Sequence, residues 1–259
     1  MTTSMFSRIP DIDAAQSTPG PIPFVRLVRV EWAKATDTRS ARWLLALVAL
    51  STIAMMLVPV VAPTTFEQTD ASYLRVAALG LTILLPVVAI LLLTGEWSQR
   101  SIMITFTQEP RRIRVVNAKL AVSMVLGAGA AVFGGAVAAA GIGLAAASGR
   151  TLGANLTVGA IAGYVLFVIL NVFGGVALGA LLQNSAAAVA ASFALPAAFA
   201  LLGAASPLVS DWIDMSSTWN WVLENDWAGH VPQIAFSVAF WVAIPLAAGV
   251  VRTIRRDIE

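Results

Sequence analysis

The sequence predicts an all-α membrane protein, with six transmembrane helices preceded by a short amphipathic helix. Three observations carry that prediction. Mean hydropathy is +0.83 and 58% of residues are hydrophobic, far above a soluble domain. The apolar residues gather into six runs, each long enough for the roughly 20 residues that cross about 30 Å of hydrocarbon. Charged residues, only 12% of the chain, fall between the runs and never at the centre of one. That placement also argues against proton or sodium coupling, which usually needs an ionisable group at mid-membrane, although backbone carbonyls can still bind sodium.

The elements follow in order. Residues 1–23 are polar and Pro-rich without the apolar stretch of a signal peptide, and are expected to form a disordered cytoplasmic tail. Residues 24–42 read as an interfacial helix. Phe24, Val25, Leu27, Val28, Trp32 and Ala35 share one broad face, and Arg26, Arg29 and Lys34 fall mainly on the other. Glu31 lands within the apolar arc. Two outcomes are open: its carboxylate snorkels to water, the commoner fate, or it pairs with a basic residue of the 95–119 stretch. The predicted spans are 43–61, 74–94, 120–147, 156–182, 186–204 and 233–251.

Between the second and third spans, the stretch 95–119 carries Glu96, Arg100, Glu109, Arg111, Arg112, Arg114 and Lys119 around a short apolar piece from Ile102 to Phe106. Apolar side chains framed by charge at a membrane surface suggest a docking element for a soluble partner. With both termini in the cytoplasm, only Arg75 and Arg150 of the 16 Lys and Arg lie outside. This is a strong positive-inside signal.

Small residues recur at four-residue spacing, as Ala131, Gly135, Ala139 and Gly143, and as the pairs Gly159/Gly163 and Gly175/Gly179. Such stripes let membrane helices approach closely. Pro59, Pro86, Pro196 and Pro245 fall in or near four spans, and mid-helix prolines free backbone groups and often kink the helix. Asn171 is expected to donate a hydrogen bond between helices. The segment 206–232 holds Trp212, Trp219, Trp221 and Trp227 and is long enough for two short helices broken by Asn225-Asp226 and Ala228-Gly229. It reads equally well as a belt anchor or as an outer gate.

Several chemistries are excluded or disfavoured. The chain has no cysteine, which excludes Cys-ligated metals, and one histidine, His230, so a His-based metal site would need carboxylates or a second subunit to supply its other ligands. Neither Lys34 nor Lys119 lies in a Walker A loop, and no nucleophile motif of the G-x-S-x-G kind is present. A membrane enzyme acting on lipids would need a clustered acid–base set that the sequence does not offer.

Glu31-Trp32-Ala33-Lys34 and Thr38-Arg39-Ser40 precede the first span. Gly95-Glu96-Trp97 through Thr105, Glu109-Pro110-Arg111-Arg112 and Ala118-Lys119 follow the second. In these blocks, and in the order of its helices from about Phe24 onward, the chain resembles the permease subunits of ABC-2 type ABC transporters of the small actinobacterial kind. The resemblance implies a type V exporter-like architecture in the cell membrane. Two permeases, identical or homologous, would associate with two separate ATPase subunits that carry ATP and Mg. It implies no catalytic residue or metal on this chain.

By the same resemblance, Glu31, Trp32, Lys34 and Arg39 belong to a connecting helix. Glu96, Arg100, Phe106, Glu109, Pro110, Arg111 and Arg112 belong to the stretch that couples to the ATPase. A substrate path between spans two and five would run past residues 81–90 and 193–199, with Leu85, Pro86, Asn171, Phe193 and Phe199 along it. The implied cargo is amphiphilic, drug-like or lipid-like, moved outward. The alternative is an ATP-independent channel, sensor or assembly subunit.

Overall fold

The computed structural model describes residues 22–64, 66–98 and 102–255, excepting the side chains of Met103 and Ile104. All but the last two residues of the expected tail, and Arg100, lie outside the described residues. The described chain is helical, with one isolated bridge between Thr69 and Gly153. Six helical segments are long and apolar enough to cross a membrane, which makes this a multi-pass membrane protein.

The amphipathic segment is two helices rather than one. Helix α1 runs Phe24–Thr36 and α2, the first span, runs Arg39–Val61. Thr38 separates them, its hydroxyl accepting from the Ala41 amide as an N-cap, while Arg42 donates to the Asp37 carbonyl behind it. Arg39 therefore opens the first span and does not belong to α1. On α1, the expected apolar face divides. Val28 and Ala35 pack inward with Leu92 and Val122, and Phe24, Val25 and Trp32 stay exposed.

The second span is broken by its proline. Helix α3 is Asp70–Thr82 and α4 is Leu85–Ser98, with Thr69 and Ser72 forming a capping box at the start. Pro86 cannot donate to residue 82, so the chain turns at Ile83-Leu84 and restarts with the Val87 and Val88 amides on the Leu84 carbonyl. After α4 come the short helix α5 (Ile102–Gln108) and α6 (Arg112–Ala147), which starts two turns before the expected third span. Helix α7 is Val158–Leu182 and α8 is Ser185–Ala205, joined by a tight turn through Gln183, in the left-handed region, and Asn184.

The 206–232 segment forms two short helices, α9 (Pro207–Trp212) and α10 (Met215–Leu223). They meet at Ile213-Asp214, where Asp214 caps α10. The Asn225–Gly229 region instead turns the chain into the last span, with Asn225 in the left-handed region. That span is α11 (Val231–Val238), a π turn (Ala239–Ala243) and α12 (Ile244–Arg255). The wide turn sits just before Pro245, whose missing amide the local geometry absorbs. Pro59 and Pro196, by contrast, remain inside α2 and α8.

Helix α7 is the central post, packed against α3, α4, α6, α8, α10 and α12. Its Val168, Val172 and Val176, one helical turn apart, are fully buried in the main core with Leu81, Leu85 and Trp219. Trp219 is thus a core residue rather than an interfacial anchor. Close approach decides the small-residue positions. A methyl group at Gly163 or Gly175 would run into the carbonyls of Val222 and Pro86, respectively, whereas one at Gly135 or Gly143 would meet open space. The buried stripe of α6 therefore runs through Gly127, Ala131, Gly134, Ala138, Gly141 and Ala145, and only Ala131 of the expected set lies on it.

Candidate functional site

At the end of the bundle where α1 and α5 lie, four charged side chains from three helices close into a ring. Glu31 of α1 is 3% exposed; one oxygen accepts from Lys34 Nζ at 2.6 Å and the other from Lys119 Nζ of α6 at 2.6 Å. Glu96, in the last turn of α4, completes the circuit. Its Oε1 accepts from Lys34 Nζ at 2.6 Å, and its Oε2 lies 3.1 Å from Lys119 Nζ, close enough for attraction but not aligned as a hydrogen bond. Lys119 makes a further bond to the Leu92 carbonyl. Signs alternate around the ring, so each charge faces two of opposite sign and the whole is neutral.

Glu31 therefore does not snorkel: it pairs inward with Lys119 of the 95–119 stretch. A lone carboxylate on an apolar helix face would face a large desolvation cost, and the two ammonium groups offset it. Lys34 is half-exposed. Burial acts to lower its pKa, but the hydrogen bonds it donates to Glu31 and Glu96, together with their charges, outweigh that and raise it.

Helix α5 hangs from this ring. Thr105 donates to Glu96 Oε1 at 2.8 Å, and Ile102 and Phe106 bury against Val115 and the edge of Trp97. The Arg112 guanidinium sits 5.0 Å over the Phe106 ring. Phe106 and Ile102, expected to face a soluble partner, are thus the anchors of α5. Its outward face is Thr107 and Gln108, followed by exposed Pro110 and Arg111.

Glu109 is also turned inward, at 5% exposure. It accepts from Arg114 and from the Arg111 amide, placing a carboxylate at the positive end of α6. Arg114 in turn donates to the Ile22 carbonyl, fixing the entry to α1. Arg112 caps the end of α12 through the Thr253 and Ile254 carbonyls, and Gln183 reaches Thr253 from the α7–α8 turn. Ser185 ties that same turn to Thr94 and Ser98 of α4.

The expected path residues divide between two places. Pro86, Asn171 and Phe193 line one cavity of about 220 Å³, together with Thr82, Ser192 and Trp241. Leu85 lies in the core instead, and Phe199 packs edge-on to Phe240 and Trp241. Among the described residues, Asn171 makes no hydrogen bond between helices. Its amide donates to the Phe167 carbonyl one turn back on α7, at 2.9 Å. The cavity opens where the α3–α4 break leaves room beside α7 and α8. Trp241 carries its other edge to the α9–α10 hairpin, donating from Nε1 to the Ile213 carbonyl at 2.6 Å.

Comparison with protein-family models, curated proteins and solved structures finds no match to this chain.

The ring depends on residues that spacing alone did not single out. Lys119 is a member of it and Thr105 ties α5 to it, and the signal for Lys119 was Glu31 on an apolar arc, which demands a buried cation. Among the described residues, no three His, Asp or Glu side chains gather as a metal site.

Proposed function

We propose that this chain is the membrane-spanning permease subunit of an ABC-2 type exporter, driven by a separate ATPase. In this reading both termini are cytoplasmic, α1 is the interfacial connecting helix, and α5 with Pro110 and Arg111 is the element the ATPase pushes. The observation that best supports it is the neutral charged ring. It joins α1, α4 and α6 and holds α5 through Thr105, so a force on α5 reaches all three helices together.

Helix α4 then acts as a lever. Glu96 at one end belongs to the ring, and Pro86, ten residues away or about 15 Å along the helix, lines the cavity at the other. The α3–α4 break at Ile83-Leu84 is where such a lever pivots. Displacing α4 reshapes a cavity whose wall is mostly apolar with Thr82, Asn171 and Ser192 as polar points, a lining that suits an amphiphilic, drug-like or lipid-like cargo.

The test begins with recovery of the chain from native membranes in mild detergent. A stoichiometric partner carrying a Walker A loop is expected, and Arg111→Glu, on the exposed edge, should abolish transport-coupled ATPase activity while leaving the melting temperature unchanged. Recovery without any nucleotide-binding partner, or coupling indifferent to Arg111→Glu, would favour an ATP-independent channel, sensor or assembly subunit.

A further inference from the structure

We infer that the cleft between α1 and the start of α6 binds one anionic phospholipid, with its phosphate held by Arg26 and Arg111. The cleft encloses about 750 Å³, within the range of about 300–1,000 Å³ typical of small-molecule sites.

Charge accounting points to an anion. Of the ionisable residues lining the cleft, Glu31 and Lys34 are matched inside the ring and Glu109 is matched by Arg114. Arg26 and Arg111 remain, exposed and without an ion pair among the described residues. A cleft whose only unmatched lining charges are two guanidinium groups favours a phosphate, which each can grip by a fork of N–H donors.

The rest of the wall points to a lipid. On α1, Leu27 and Val30 follow Arg26 within about one turn, and in the first two turns of α6 Val115 and Ala118 follow the N-cap residue Arg111 and line the same cleft. Both walls therefore pair a cation with apolar surface about one turn away, near 5.4 Å, which is the order of phosphate and glycerol esters in a phospholipid. Depth agrees. Lys119 is the last ionisable residue of α6, so the turns before it fall outside the hydrocarbon, at headgroup level. Phe24, Val25 and Trp32, exposed on α1, are available to lie in the same layer.

This inference rests on the membrane topology; because Arg111 also lies on the edge assigned to the ATPase, the lipid is tested on the protein without one. The full-length protein, purified alone and placed in nanodiscs of mixed phosphatidylcholine and phosphatidylglycerol, is examined by native mass spectrometry. About one phosphatidylglycerol per chain should be retained, in preference to phosphatidylcholine. Arg26→Ala with Arg111→Ala should lower that retention about tenfold or more, as expected for losing two charge-assisted contacts. Arg29→Ala with Arg39→Ala removes equal charge from the same end and should leave retention intact. Equal loss in both double variants would mean diffuse attraction and overturn the site. So would equal retention of phosphatidylcholine, or displacement of the lipid by millimolar inorganic phosphate, which would identify a free-phosphate site.

Discussion

A carboxylate as buried as that of Glu31 costs several kcal/mol to desolvate, and only partners held at hydrogen-bond distance offset it. Removing one member of the ring is therefore worse than removing a pair. Lys119→Met leaves Glu31 and Glu96 facing each other with only Lys34 between them, and should cost about 3–5 kcal/mol of stability. The double variant Glu31→Gln with Lys119→Met removes one charge of each sign and should recover much of that loss. Melting temperatures in detergent of both single variants and the double form a cycle; strictly additive losses would show that the two residues do not interact. The half-exposed Lys34 adds a directional check on protonation. Its pKa is raised, so its contribution is complete below its ordinary value of 10.5 and is lost only as pH rises beyond it. The ring thus keeps this cation throughout the neutral range.

At the scale of elements, the helices and their order were legible because length and hydropathy alone define a span, whereas the breaks were set by individual backbone groups. Pro86 splits its span while Pro59 and Pro196 do not, since only around 83–84 does the chain turn and restart on the Leu84 carbonyl. The ends of α1 and α6 were shifted by Thr38 as a cap and by Glu109 at the α6 start, local bonds that hydrophobic periodicity does not register. Helix faces were harder still. Glycine spacing selected Gly135 and Gly143, but burial depends on which turn faces α7 and α3, and these two face open space. A substitution pair separates the cases. Gly135→Ala should hold or raise the melting temperature, since alanine is favoured over glycine in a helix by about 1 kcal/mol. Gly175→Ala drives a methyl group into the Pro86 carbonyl and should cost about 1–3 kcal/mol, because the atoms it meets are all backbone and do not yield easily. If both variants melt alike, the α4–α7 contact is looser than described.

For the whole molecule, sidedness is the property on which the functional reading turns, and it was read from basic residues rather than from packing. The candidate site was legible in the same partial way. Charge concentration located the 95–119 stretch, yet which of its side chains face inward followed only from three-dimensional contacts, as Phe106 and Glu109 show. Sidedness can be measured cleanly because the chain has no cysteine, so every introduced thiol is a unique probe. Gln108→Cys lies on the exposed face of α5, and Asp211→Cys lies on exposed α9 near the opposite end of the bundle. With basic residues retained inside, an impermeant maleimide applied to intact cells should label Asp211→Cys and reach Gln108→Cys only after permeabilisation. The reverse pattern would place α5 and Arg111 outside, where no ATPase could push on them. The lever from α5 through Glu96 to the cavity would then lack its driver, and the exporter reading would fall with it while the six-span topology stood.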